Sequence, residues 1–266
     1  FVIIGALIGA GFTSGQEIYL FFFSYGAKGL LGILISSILI GLVIYKTFKI
    51  IKINNIKNYK EFLDLLIKNQ KIKNVANSII NIFILVSFYI MIAGFGAYLQ
   101  QELNINSMIG SAILAIFCII LFRKNIEGVV KANQILVPIL VITIIIFGIL
   151  NLKNINFPNL NNYLINYNNK NWVITSILYA SYNCVLLIPV LSTLIDYIKS
   201  IKNIKHISLI VTFSVAILLT IIFLFLVIVD VDIKELEMPA VYAINIISPK
   251  FKSIYGLIIL ISIFTT

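Results

Sequence analysis

Residues 1–23 form an apolar run with Gly9-Ala10-Gly11-Phe12-Thr13-Ser14-Gly15-Gln16-Glu17 in its middle. An apolar segment of that length crosses a bilayer as a helix, since about 20 residues at roughly 1.5 Å each span the ~30 Å hydrocarbon core. The glycine-rich polar patch opposes this. Gly-x-Gly weakens a helix, because glycine gives up the most backbone entropy. Ser14-x-x-Glu17 has the spacing of a capping box, the signature of a helix starting afresh. The stretch therefore predicts a helix that stops, unwinds between about residues 8 and 14 and begins again. Backbone freed at membrane depth is tolerated only inside protein or beside a water-filled cavity. Broken helices of that kind mark midplane binding sites in secondary transporters.

Seven further apolar spans follow, at about residues 29–45, 76–99, 105–122, 132–150, 173–195 and 207–229 and from 251 onward. Only 11% of residues are charged, against about 25% in a soluble domain. The fold class is all-α, a polytopic membrane protein with residues 1–266 in one transmembrane domain. The net charge of +10 comes from lysines that cluster in loops between spans, so lipid is the expected partner and nucleic acid is not. Cys118 and Cys184 both fall in apolar spans and suggest neither a disulfide nor a metal framework. The chain has no metal-ligand cluster, nucleophile–base pair or phosphate loop, so an enzyme and an organic cofactor are not expected. It starts without Met and stops within segment 8, so a fragment truncated there is expected. The glutamate inside the first run and the lack of a cleavage-site pattern argue against a secretory signal.

Residues 46–75 form a polar loop in which 59–67 has amphipathic spacing, predicting a short helix on the membrane surface. Segment 3 carries Ala93, Gly94, Gly96 and Ala97, small enough to admit another helix or a ligand; Tyr89 there either offers its hydroxyl to a substrate or packs. Pro138 predicts a kink in segment 5. Trp172 and Tyr163 suit an interfacial belt. In segment 6, Tyr179-Ala-Ser-Tyr-Asn-Cys184 precedes Pro189, and a second break is expected between about residues 180 and 189. Pro239 opens a short helix before segment 8.

Fourteen of the twenty Lys and Arg residues lie in the loops after segments 2, 4 and 6. The positive-inside rule puts those loops, and the start of segment 1, in the cytoplasm. Segments 1 and 6 are then broken helices of opposite direction, five spans apart, as in an inverted repeat of five plus five helices. Residues 1–150 make the first repeat and 172–266 an incomplete second.

Gly-Ala-Gly-Phe-Thr-Ser-Gly-Gln-Glu in segment 1 resembles the signature of the bacterial YkvI-like membrane proteins. Leu178-Tyr-Ala-Ser-Tyr-Asn183 with Ile188-Pro-Val-Leu191 resembles their sixth segment, and Ile135-Leu-Val-Pro138 and Phe264-Thr-Thr266 agree with it. The family looks like a branch of the amino acid–polyamine–organocation superfamily with the LeuT-type fold. That resemblance implies a secondary transporter of amino acids or similar solutes in the bacterial cytoplasmic membrane, coupled to Na⁺ or H⁺. It implies a substrate site at Gly9, Ala10, Gly11, Thr13, Ser14 and Gly15, where Thr13 to Gly15 present N–H groups to an anionic group. Ser181, Tyr182 and Asn183 face them from segment 6. It implies an ion site between the carbonyls of Gly5 and Ile8 and the side chains of Thr265 and Thr266. The alternative in the same superfamily is a transporter-like sensor of the germinant-receptor type; a scaffold without transport is a third reading. Glu17, the only carboxylate within the spans, either caps its helix or meets a proton, cation or substrate amine.

Overall fold

Glycine decides where the first apolar run bends. In the computed structural model α1 (Val2–Leu7) ends at Ile8, whose ψ of 74° leaves the helical region, and Gly9 is extended at φ −84°, ψ −174°. α2 (Ala10–Ser14) makes little more than one turn before Gly15 takes φ +86°, and α3 (Gln16–Phe21) follows. The left-handed conformation costs an L-residue about 1–2 kcal/mol and glycine almost nothing. The interruption is therefore double, at residues 8–9 and at 15, with a helical turn between. The structure describes residues 1–123, 125–152, 171–198, 200–229, 232, 233, 236 and 238–266, with backbone alone at 101–103, 121, 122 and 125. Tyr163 and the loop expected around it lie outside these residues.

The capping box at Ser14 does not form. Gly15 caps α3 with no side chain, while Ser14 Oγ accepts from the Gln16 N–H at 3.4 Å and donates to the Gly11 carbonyl at 3.3 Å. A reciprocal cap forms instead at α5 (Tyr59–Leu66), a short helix within the 59–67 stretch expected to be helical. There Asn58 Oδ1 accepts from the Glu61 N–H at 2.9 Å and the Glu61 carboxylate accepts from the Lys57 N–H at 2.8 Å. Phe62 packs with Ile51 and Ile56 and turns the apolar face of α5 inward.

A 3₁₀ turn (Phe23–Tyr25) and Gly26, at φ +59°, lead into α4 (Ala27–Ile53). α4 packs along α9 (Trp172–Thr193) and α10 (Ile201–Val227). Gly32 faces Ser176 Oγ and Gly41 faces Thr212 Oγ1, so small residues let the backbones approach. Ser36 Oγ donates across this contact to the Ser176 carbonyl at 3.0 Å.

α6 (Gln70–Leu103) and α7 (Ser107–Phe122) form a hairpin around Asn104, itself left-handed at φ 55°. The small residues of segment 3 admit a helix: Gly96 stands against Ser107 and Ser111, and Ser111 Oγ donates to the Ile92 carbonyl at 3.1 Å. Leu85, Val86, Tyr89 and Ile90 stay exposed on α6, as a lipid-facing surface requires.

α8 (Asn125–Leu152) carries Pro138 inside it, packs on α10 and reaches α1. α11 (Pro239–Ile247) and α12 (Pro249–Thr265) each begin on a proline, where its missing N–H has no intrahelical partner to lose. α4, α6, α8, α9 and α10 are long and apolar enough to cross a membrane. No strand occurs among the described residues. The protein is a multi-pass membrane protein, all-helical among the described residues.

α9 corrects the expected second break. It runs as one helix from Trp172 to Thr193, through Pro189. Proline removes one backbone donor, but segment 6 has no glycine to unwind at. The Ser192 hydroxyl donates to the Pro189 carbonyl at 2.6 Å and that of Thr193 to Val190 at 2.8 Å, which shores up the last turn.

Candidate functional site

Two polar clusters flank the broken segment. The first lies at α3. Glu17 is the second residue of α3, and its half-buried side chain turns back over α2 until the carboxylate lies against Gly11. A Cβ at Gly11 would stand 2.8 Å from Glu17 Cγ and 2.9 Å from Cδ, so only glycine leaves room for it. The Tyr182 hydroxyl donates to Glu17 Oε2 from α9. Phe21 packs against Tyr179 and Tyr182 at ring separations of 5.4 and 5.7 Å, and Phe22 against Tyr179 at 4.8 Å. These rings hold α3 on α9 and fix the phenol that meets the carboxylate. Glu17 is thus a partner of Tyr182 and takes no part in capping.

The second cluster lies where α1 ends. Thr266 Oγ1 is 3.2 Å from the Gly5 carbonyl, 3.2 Å from that of Ile8 and 2.8 Å from that of Ser262. A hydroxyl has one hydrogen. The shortest contact takes it, and the Gly5 and Ile8 oxygens then face hydroxyl lone pairs. Carbonyls at a helix end have no intrahelical donor of their own; only the Ile8 N–H, shared between Ile4 at 3.1 Å and Gly5 at 3.2 Å, reaches Gly5. A cluster of oxygens short of hydrogens is the kind of set that a hard cation takes up.

Segment 1 is tied to α12 between these clusters. Thr13 Oγ1 and Ser262 Oγ are 2.8 Å apart, and the Tyr255 hydroxyl donates to the Thr13 carbonyl at 2.9 Å. From α6, Met91 Cε reaches within 3.2 Å of the Cβ position of Gly9.

The expected site residues divide accordingly. Gly5, Ile8 and Thr266 converge, and Glu17 meets both Gly11 and Tyr182. Gly9 and Ala10 form the break and the start of α2. Thr265 does not reach segment 1 with its hydroxyl, which returns to its own helix at Ile261, 3.0 Å, and Ser262, 3.2 Å. Its carbonyl, however, lies 3.2 Å from the Cβ position of Gly5. Thr13 and Gly15 do not offer N–H groups to an anion, because theirs bond the Gly9 and Phe12 carbonyls at 3.0 and 3.1 Å. Ser181 is exposed on the stripe with Ile174, Ile177 and Leu178, and it donates to Ile177 at 2.7 Å. Asn183 is buried and bonds its own helix, at Tyr179, 2.9 Å. Tyr89 is 62% exposed, away from the break. Tyr255, Ser262, Met91 and Asn133 were not expected. Ser262 carries a legible signal, a polar side chain in an apolar span; Asn133, between Lys131 and Gln134, and Met91 carry none.

The chain matches no family profile. No solved structure matches it. It is 30% identical over 142 residues to "Uncharacterized protein YyaD" of Bacillus subtilis (strain 168), an alignment covering 53% of this chain and 40% of that protein. Over 270 residues it is 28% identical to "Uncharacterized membrane protein YkvI" of the same organism, covering 100% of this chain and 76% of the relative. The broken apolar segment, the membrane-length helices and this similarity agree: the chain is a membrane protein homologous to YkvI.

Proposed function

We propose that the protein is a secondary transporter of a small, amino-acid-like solute, coupled to a monovalent cation. On this reading it lies in the bacterial cytoplasmic membrane as an inverted repeat of the LeuT type, with the start of segment 1 cytoplasmic. The observation that carries the reading is the break at Ile8 and Gly9, in the middle of an apolar run, between a carboxylate–phenol pair and a carbonyl–hydroxyl cluster. Freed backbone and a membrane-depth carboxylate are both costly in lipid, and both are the means by which transporters hold polar cargo. The solute would meet Gly9, Gly11, Glu17 and Tyr182. The carbonyls of Gly5 and Ile8 and the Thr266 hydroxyl would hold the cation, which supplies a positive charge joining segments 1 and 8. With α9 continuous, segment 1 would offer the site unwound backbone and segment 6 side chains.

The test is uptake. Full-length protein in proteoliposomes takes up labelled amino acids under an imposed Na⁺ or H⁺ gradient, and uptake stops when the gradient is dissipated. Specific binding of a labelled amino acid without accumulation favours the sensor reading instead. Neither binding nor uptake across the amino acids overturns the solute assignment.

A further inference from the structure

We infer that Asn133, from α8, is an additional ligand of the cation site at Gly5, Ile8 and Thr266, so that three segments share the ion. The inference rests on the cation reading above and adds to it a residue outside segments 1 and 8.

Asn133 is 3% exposed on α8, although exposed Lys131 and Gln134 flank it in sequence. Its Nδ2 donates to the Val129 carbonyl at 3.0 Å, one turn back on its own helix. That bond fixes the orientation of the amide, because the flipped form would set two acceptor oxygens against each other. Oδ1 is left buried without a hydrogen-bond partner. Buried acceptors rarely stay unpaired. Oδ1 points at Gly5: it is the nearest atom to the position a Cβ there would occupy, ahead of Val137 Cγ2 at 2.9 Å and the Thr265 carbonyl at 3.2 Å. The missing side chain of Gly5 is what lets this oxygen approach.

Gly5 O, Ile8 O and Thr266 Oγ1 come together where α1 ends, and Thr265 O and Asn133 Oδ1 both approach the side-chain position of Gly5 in the turn before it. All are neutral oxygens, and the one hydroxyl hydrogen is directed out of the set, at the Ser262 carbonyl. None ionises near neutral pH. Such a set takes a hard cation through its lone pairs and offers no site for a coupling proton. An amide oxygen, with two lone pairs and its nitrogen already satisfied, suits that role.

The test compares melting of full-length, detergent-purified protein in sodium chloride and in choline chloride of equal ionic strength, titrated to half-saturation. Wild type melts at higher temperature as sodium rises. Asn133→Leu removes the orphan oxygen at similar volume; it stays folded in choline and needs about 10- to 100-fold more sodium. Asn133→Asp keeps an oxygen and adds a charge; it binds sodium more tightly, with a pH dependence that wild type lacks. Asn151, whose Oδ1 is also buried and unpaired but whose Nδ2 ties α8 to the Leu224 carbonyl at 2.9 Å, is the control. Asn151→Leu leaves the sodium midpoint unchanged. A wild-type sodium response that Asn133→Leu preserves at the same midpoint overturns the inference and leaves the cation site standing. No sodium response in wild type overturns both. If Asn133→Leu fails to fold, unchanged sodium affinity and pH dependence in Asn133→Asp decide against it.

Discussion

The Tyr182 hydroxyl donates to the Glu17 carboxylate, joining α3 to α9 across the broken segment. The partner of this carboxylate is a phenol from another helix, and the backbone of its own helix gives it no cap. The charge is therefore positioned by tertiary packing of Phe21, Tyr179 and Tyr182 and held beside Gly11, in the helical turn between the two interruptions. A carboxylate that only stabilised a helix end would have no need of this setting.

Glu17→Gln separates the two roles. Glutamine can accept the Tyr182 hydrogen bond, so the fold survives at a cost of about 1 kcal/mol, the difference between a charged and a neutral hydrogen bond. Transport, or its dependence on pH, is lost. Tyr182→Phe leaves the carboxylate without its donor and costs about 1.5–3 kcal/mol. Melting temperature and uptake between pH 5 and 8, measured on the same preparations, check both. A Gln variant with wild-type uptake at every pH reduces Glu17 to a structural partner of Tyr182.

Gly11→Ala pushes on Glu17. The added methyl would meet Cγ and Cδ of a flexible side chain, with helical backbone beneath it. The expected result is an intact fold and a displaced carboxylate. Uptake falls at least as far as in Glu17→Gln, while thermal stability changes by under about 1 kcal/mol. A variant that transports normally shows that the seat on Gly11 is incidental.

The first break was legible because it is written in backbone chemistry. Gly9 and Gly15 both weaken the helix, and Gly15 takes a left-handed conformation that other residues avoid; both effects are local. What Ser14 and Glu17 do was not legible: a capping box and a tertiary carboxylate share one spacing, and only packing chooses. Segment 6 shows the same limit. Ser181, Tyr182 and Asn183 are equally polar, but successive residues on a helix point about 100° apart. One faces out, one meets Glu17 and one bonds its own helix, and their order gives no phase without a neighbour. Pro189 misleads because a lost hydrogen bond breaks a helix only where nothing else holds the turn. Segment 8 was nearer: Ser262 and Thr266, four apart, share the face toward segment 1, and Thr265 lies one residue off it.

Gly15→Ala tests the second bend. At φ +86° an alanine is strained by about 1–2 kcal/mol. Its methyl also stands 3.2 Å from the Ala240 nitrogen and from Leu226 Cδ2, so relaxation is restricted. Gly94→Ala is the contrast: its Cβ meets nothing within 4 Å, inside a regular helix, and it gains about 0.5–1 kcal/mol. Thermal melting of the pair should move in opposite directions. Equal shifts would mean that the bend at Gly15 is not held in the folded protein.

The sidedness rests on charge and can be tested at two exposed positions. Lys60 lies on α5, in the lysine-rich stretch after segment 2, and Asn171 immediately precedes α9. The positive-inside rule assigns the first to the cytoplasm and the second to the outside. Cys118 is half-buried and Cys184 buried, so both are first replaced by alanine to give a silent background. Single cysteines at 60 and 171 are then exposed, in intact cells, to a thiol reagent that does not cross membranes. Asn171→Cys should label in whole cells. Lys60→Cys should label only after the membrane is opened, and labelling of both after opening shows that neither position is hidden in the fold. The opposite order would turn the protein over: the Glu17–Tyr182 pair would then lie toward the cytoplasm from the break, and the carbonyl cluster at Gly5 and Ile8 toward the outside.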